Sequence, residues 1–144
     1  SRQSVPTLRN EMPNENLTSK GAYIIYGDSN NRDITLLSSG SELSIALEAA
    51  KELEEDNISV VVVSMPCWEL FEEQTNEYIL NILGEKPKIA IEASISFGWE
   101  KWLSKNDIFI GMKSFGASAP ANELYKFFNI TKEEIINKSK TLLK

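Results

Sequence analysis

"DITLLSSGSELSIALEAAKELEEDNISVVVVSM" (residues 33–65) changes its apolar period twice. Residues 33–40 are a short apolar run that closes on Ser-Ser-Gly. From Ser41 the spacing becomes helical: Leu43, Ala46, Leu47, Ala50 and Leu53 share one face, and Glu42 sits in the first turn, where the helix dipole favours a carboxylate. The helix ends in "EEDN". "ISVVVVSM" (58–65) then gives a continuous valine run, the pattern of a strand covered on both faces, as in parallel sheets. Strand, helix and buried strand form a βαβ unit, which predicts an α/β fold.

Working towards the N-terminus, "GAYIIYG" (21–27) reads as another strand, aromatic and β-branched between glycines. Only "GDSNNR" separates it from the run at 33, too few residues for a crossover helix, so the two strands are predicted to pair antiparallel. Residues 1–20 are polar, carry Pro6 and Pro13, and show no sustained period. They are predicted to be a linker or arm from a preceding domain, with the domain proper at 21–144.

Towards the C-terminus, Pro66 ends the valine run. "WELFEEQTNEYILNIL" (68–83) fits one broken helix or two short ones, "KIAIEAS" (88–94) a buried strand, "FGWEKWL" (97–103) a short helix, and "DIFIGM" (107–112) a last strand. "FGASAPANELYKFF" (115–128) reads as a strand-to-helix turn: Gly116 permits an unusual backbone angle and Pro120 suits a first helical turn. "TKEEIINKSKTLL" (131–143) closes the chain as a helix, with Thr131 and Glu134 at capping-box spacing and Ile135, Ile136, Ser139, Leu142 and Leu143 on one side. The whole predicts a three-layer α/β domain: about five strands, mostly parallel with one antiparallel, and helices on both faces.

Composition narrows the chemistry. At 144 residues the chain suits one domain with a real core, and a net charge of -6 disfavours a nucleic-acid surface. No apolar run approaches a membrane span. The single cysteine, Cys67, staples nothing and suits a reducing compartment. Histidine is absent, which excludes Ser-His-Asp hydrolysis, His-assisted thiol chemistry and His-ligated metals within this chain. A general base would have to be Asp, Glu, Lys or Tyr. The first residue is Ser, so the chain is expected to be a piece of something longer.

Several segments invite a site and are weighed against plainer roles. "GDSNN" (27–31) has the Gly-Asp and Asn pieces of a diphosphate-metal site, but they are adjacent in one hairpin, where they are the residues a turn wants, and the turn is preferred. "SSGSEL" (38–43) lies at a helix N-terminus at the carboxyl edge of the sheet, where an anion can bind. It lacks the phosphate-loop lysine, and Glu42 would repel a phosphate, so a structural turn is preferred. Cys67 is expected to be a small buried residue. Glu92, at the end of a buried strand, is a candidate acid or base with a raised pKa, a helix cap, or a partner for Lys101. Trp68, Trp99 and Trp102 are expected to anchor a core or an interface. The charges of 132–138 are expected on a solvated helix face. Arg2, in a polar arm, is able to grip a phosphate with two parallel hydrogen bonds.

Taken in order, these segments resemble the C-terminal domain of transketolase from Arg2 to Lys144. The family's landmarks are similar to the glycine-aromatic strand at 21–27, the strand ending in "SGSE", the alanine-rich helix, "VVSMP" before "ELF", "IEA" before an aromatic helix, and "GMKSFGASAP". The sequence departs from the family pattern at Cys67 and Trp68, where small hydroxyl residues are common, at Ser38 for Thr, and at Ala117 for a frequent glutamate. The resemblance implies the tail of a thiamine-diphosphate enzyme that moves a two-carbon ketol unit between sugar phosphates. It implies that earlier domains of the same chain hold thiamine diphosphate and a divalent metal, magnesium or calcium, and that the parent is a cytoplasmic homodimer. This domain would bind no cofactor or metal, supply no catalytic residue, contact neither nucleic acid nor membrane, and serve packing or regulation. "SRQ" (1–3) is similar to the segment whose arginine contacts the substrate phosphate, which assigns that role to Arg2 in the intact enzyme. The alternatives are the matching tail of a 2-oxoacid dehydrogenase β subunit or of deoxyxylulose-phosphate synthase, and a stand-alone module binding an anion at "SGSEL".

Overall fold

A computed structural model describes residues 19–40, 42–92, 98–111 and 130–144. Five strands, β1 (Tyr23–Tyr26), β2 (Ile34–Ser38), β3 (Val60–Ser64), β4 (Lys88–Glu92) and β5 (Ile108–Gly111), form one sheet in the order β1-β3-β2-β4-β5. The β2–β3, β2–β4 and β4–β5 pairs are parallel, and β1–β3 is antiparallel. The predicted mixed sheet is therefore present, but β1 pairs with β3 and not with β2.

The reason lies in the connection at 27–33. It is fastened to the start of β3: the Asp33 and Ile34 N–H groups donate to the Ser59 carbonyl, and the Ser59 N–H donates back to Asp33 Oδ2 at 2.9 Å. A Cβ on Gly27 would lie 2.1 Å from the Val60 carbonyl oxygen, so only glycine lets the backbone pass this close. The chain thus crosses the start of β3. Two strand spacings are about 10 Å, well within the reach of those residues. The "GDSNN" turn has its expected chemistry: the Asn30 N–H donates to Asp28 Oδ1 at 2.9 Å, and the Asn31 N–H to the Asp28 carbonyl at 3.0 Å. It turns the chain without joining neighbouring strands.

Period-2 alternation along the strands sorts the core into two clusters. Ile34, Leu36, Val60, Val62, Ile89, Ile91 and Ile110 face helices α1 (Leu43–Glu55) and α4 (Lys132–Leu142), meeting Ala46, Ala49, Ala50, Leu53 and Ile135. Leu37, Val61, Val63 and Ala90 face the other way. There they meet Phe71 of α2 (Trp68–Glu72), Ile82 of α3 (Asn76–Leu83), and Trp99 and Trp102 on and beside the 3-10 turn Trp99–Lys101. The segment 68–83 is accordingly two short helices. A register shift between Ile24 and Tyr26 sends Ile24 to the second cluster and both Ile25 and Tyr26 to the first. Tyr26 uses its hydroxyl to donate to Glu54 Oε1 of α1 at 2.5 Å. Burial and the neighbouring carboxylate push its pKa up.

The closing helix is built as its sequence predicts. Thr131 Oγ1 accepts from the Glu134 N–H at 3.1 Å, and Ile135 and Ser139 are fully buried. Its charged face is exposed but paired: Lys132 with Glu52 and Lys140 with Asp56 bridge to α1 and its end, and Lys138 pairs with Glu134. Surface pairs of this kind add little stability, so the α1–α4 contact rests on its apolar seam. The "FGASAPANELYKFF" turn and helix, and the arm at 1–18 with Arg2, lie outside the described residues.

Candidate functional site

In a parallel sheet the carboxyl edge is where ligands bind. Here β2, β3, β4 and β5 end at that edge with Ser38, Ser64, Glu92 and Gly111. A cleft of about 430 Å³ lies there, lined by Ser39, Met65, Pro66, Cys67, Trp68, Glu69, Glu72 and Lys101.

At the centre of the edge, the turn from β2 into α1 meets the end of β4. Glu92 Oε1 accepts the Ser39 N–H at 3.1 Å and the Ser39 hydroxyl at 2.8 Å. Both donors converge on one oxygen, so the turn leading into α1 is held by a carboxylate of the same chain. Glu42, 2% exposed, adds a second carboxylate: Oε1 of Glu42 and Oε2 of Glu92 would lie 3.6 and 3.9 Å from a Cβ on Gly40. Burial raises the pKa of Glu92, the two Ser39 bonds oppose that, and the charge of Glu42 reinforces it. Glu92 thus braces the turn at Ser39, ahead of the Glu42 N-cap, and does not cap a helix terminus itself. Lys101 pairs instead with Glu72. A carboxylate alone is far too weak a base to ionise a serine hydroxyl, so the Ser39–Glu92 contact is not a nucleophilic dyad.

Cys67 differs from expectation. It is half-buried at the cleft, not enclosed, with Sγ 3.7 Å from Glu69 Oε1, and its N–H donates to the Gly21 carbonyl. The cause is its position at the N-cap of α2, where the side chain projects beyond the first turn. The three tryptophans gather as an anchor. Trp68 meets Trp99 edge-on at 4.8 Å and Trp102 at 6.1 Å, and Trp99 and Trp102 are buried.

The charged residue that sequence reasoning missed is Arg32, at the opposite edge. It is 7% exposed, and its guanidinium donates to the carbonyls of Ser29, Asn81 and Ile82 and to Thr35 Oγ1. Burial lowers its pKa, and Asp28 partly offsets this. All five N–H donors are spent on the protein, leaving none for a ligand. Lys88 and Asp107 form a buried ion pair at 3.3 Å at the same edge. Nothing local in the sequence marks either feature, because Arg32 joins the nearby Ser29 and Thr35 to the distant Asn81 and Ile82, and Lys88 finds its partner on a separate segment. Among the described residues, no group of three or more His, Cys, Asp or Glu side chains is placed to hold a metal ion, and no helix is long and apolar enough to cross a membrane.

This strand order, with its carboxyl edge closed by the Ser39–Glu92 contact, can be set beside known proteins. Residues 21–131 match the family described as the transketolase-like TK C-terminal domain. The chain belongs to that family. It is 47% identical over 145 residues to the transketolase of Sinorhizobium medicae, covering 100% of this chain and 21% of that protein. It is 41% identical over 144 residues to the chloroplastic transketolase of Solanum tuberosum, covering 97% and 19%. Among solved structures, transketolase from Leishmania mexicana superposes with a TM-score of 0.79 at 42% identity, over 89% of this chain and 18% of that one. A Pichia stipitis transketolase in complex with sedoheptulose-7-phosphate gives 0.77 at 33% identity over the same shares. The chain thus spans about a fifth of the length of its transketolase relatives, as their C-terminal domain. This favours transketolase over the related thiamine enzymes, and Glu92 occupies the turn on which a stand-alone anion-binding module would depend.

Proposed function

We propose that the enzyme containing this domain is a transketolase that transfers a two-carbon ketol unit between sugar phosphates. The observation that carries the reading is end-to-end similarity of this chain to the final fifth of a transketolase at 47% identity. Thiamine diphosphate, held with magnesium or calcium by earlier domains, supplies the carbanion-stabilising chemistry when bound. The residues described here contribute packing: a sheet covered on both faces, and a carboxyl edge closed by its own glutamate. Residues 1–20 form the arm from the preceding domain and 21–144 the domain itself. The polar, aperiodic composition of the arm supports that boundary. The enzyme works in the cytoplasm as a homodimer.

Calorimetry of this chain with thiamine diphosphate and magnesium tests the non-catalytic role. No binding heat is expected, and micromolar binding would overturn it. Failure of the intact enzyme to turn over a ketose phosphate with an aldose phosphate would overturn the activity itself. Within that enzyme Arg2 contacts the substrate phosphate. Losing a charge-assisted hydrogen bond costs about 1.5–3 kcal/mol, so Arg2→Ala is expected to raise KM roughly 10- to 100-fold with kcat little changed. An unaltered KM would remove Arg2 from the site.

A further inference from the structure

We draw no further inference here: the strongest candidate, the Glu42–Glu92 carboxylate pair beside Gly40 at the carboxyl edge of the sheet, rests on an acidic cluster and a raised pKa, with no second observation in the structure that points to a ligand.

Discussion

Replacing Arg32 with alanine is expected to destabilise the domain by about 3 kcal/mol, for reasons specific to where its five donors go. The carbonyls of Asn81 and Ile82 belong to the last turn of α3, which has no intrahelical partners for them. Arg32 supplies those partners from about fifty residues earlier in the chain, at 2.6 and 2.9 Å, and holds Thr35 Oγ1 at 3.0 Å. Ser29 and Asn81 line a surface cleft of about 410 Å³, so water can replace the guanidinium at their carbonyls. The bonds to Ile82 and Thr35 are buried, and losing either bond to the charged guanidinium costs about 1–3 kcal/mol, Thr35 Oγ1 keeping only its longer bond to the Leu83 carbonyl at 3.4 Å. Relief of guanidinium desolvation returns part of that cost, which brings the sum of about 2–6 down towards 3 kcal/mol. Urea unfolding followed by tryptophan fluorescence is the assay, since Trp68, Trp99 and Trp102 all sit in the cluster that α3 covers. With a slope near 2 kcal/mol/M, the midpoint falls by about 1.5 M. Arg32→Lys keeps the charge, but an ammonium has three donors for four acceptors and lacks the planar fork, so about half the loss remains. Gly84 provides an internal control. Its φ is +69° and a Cβ there would lie 2.7 Å from Arg32 Nη1, so Gly84→Ala displaces the guanidinium. It is expected to cost less in the Arg32→Ala background than alone. A midpoint for Arg32→Ala within about 0.3 M of the parent, or strictly additive effects of the two substitutions, would refute the clamp.

Two further predictions concern the ends of helices. Glu92 has a raised pKa in the folded state, so the unfolded chain loses its proton first as pH rises. Its contribution to stability is therefore largest below the ordinary glutamate value of about 4.3 and declines as pH climbs through the raised folded value. Glu92→Gln keeps an oxygen for the Ser39 donors while removing the charge. It is expected to match or exceed the parent in thermal stability at pH 7 and lose that advantage near pH 4; equal differences at both values would rule out the linkage. Thr131→Ala removes the oxygen that accepts the Glu134 N–H and is expected to cost about 1 kcal/mol, read as a lowered urea midpoint. Thr131→Ser is expected to recover most of it, and no difference between the two would show that the cap contributes nothing.

The βαβ core was legible because period is a local property. Leu43 to Leu53 can repeat only as a helix, and four consecutive valines suit only a strand buried on both faces. The capped closing helix and the Asp28 turn were legible for the same reason: their donors and acceptors lie within three residues of one another. The family landmarks were also linear and needed no coordinates. The neighbour of β1 was not legible. A short connection sets only the relative direction of two strands, and their adjacency depended on Gly27 and Asp33 passing against Ser59 and Val60. Nor could the sequence choose among the roles of Glu92. Its donors come from Ser39, fifty-three residues earlier, and its rival partner Lys101 was claimed by Glu72. Arg32 reaches carbonyls about fifty residues away, at a helix end whose own composition does not request an arginine. The sequence by itself determined the elements, the layer order and the family, because these follow from short-range spacing. Only the tertiary structure decided which buried polar groups satisfy one another, because desolvation forces each to find a partner wherever the chain has brought one.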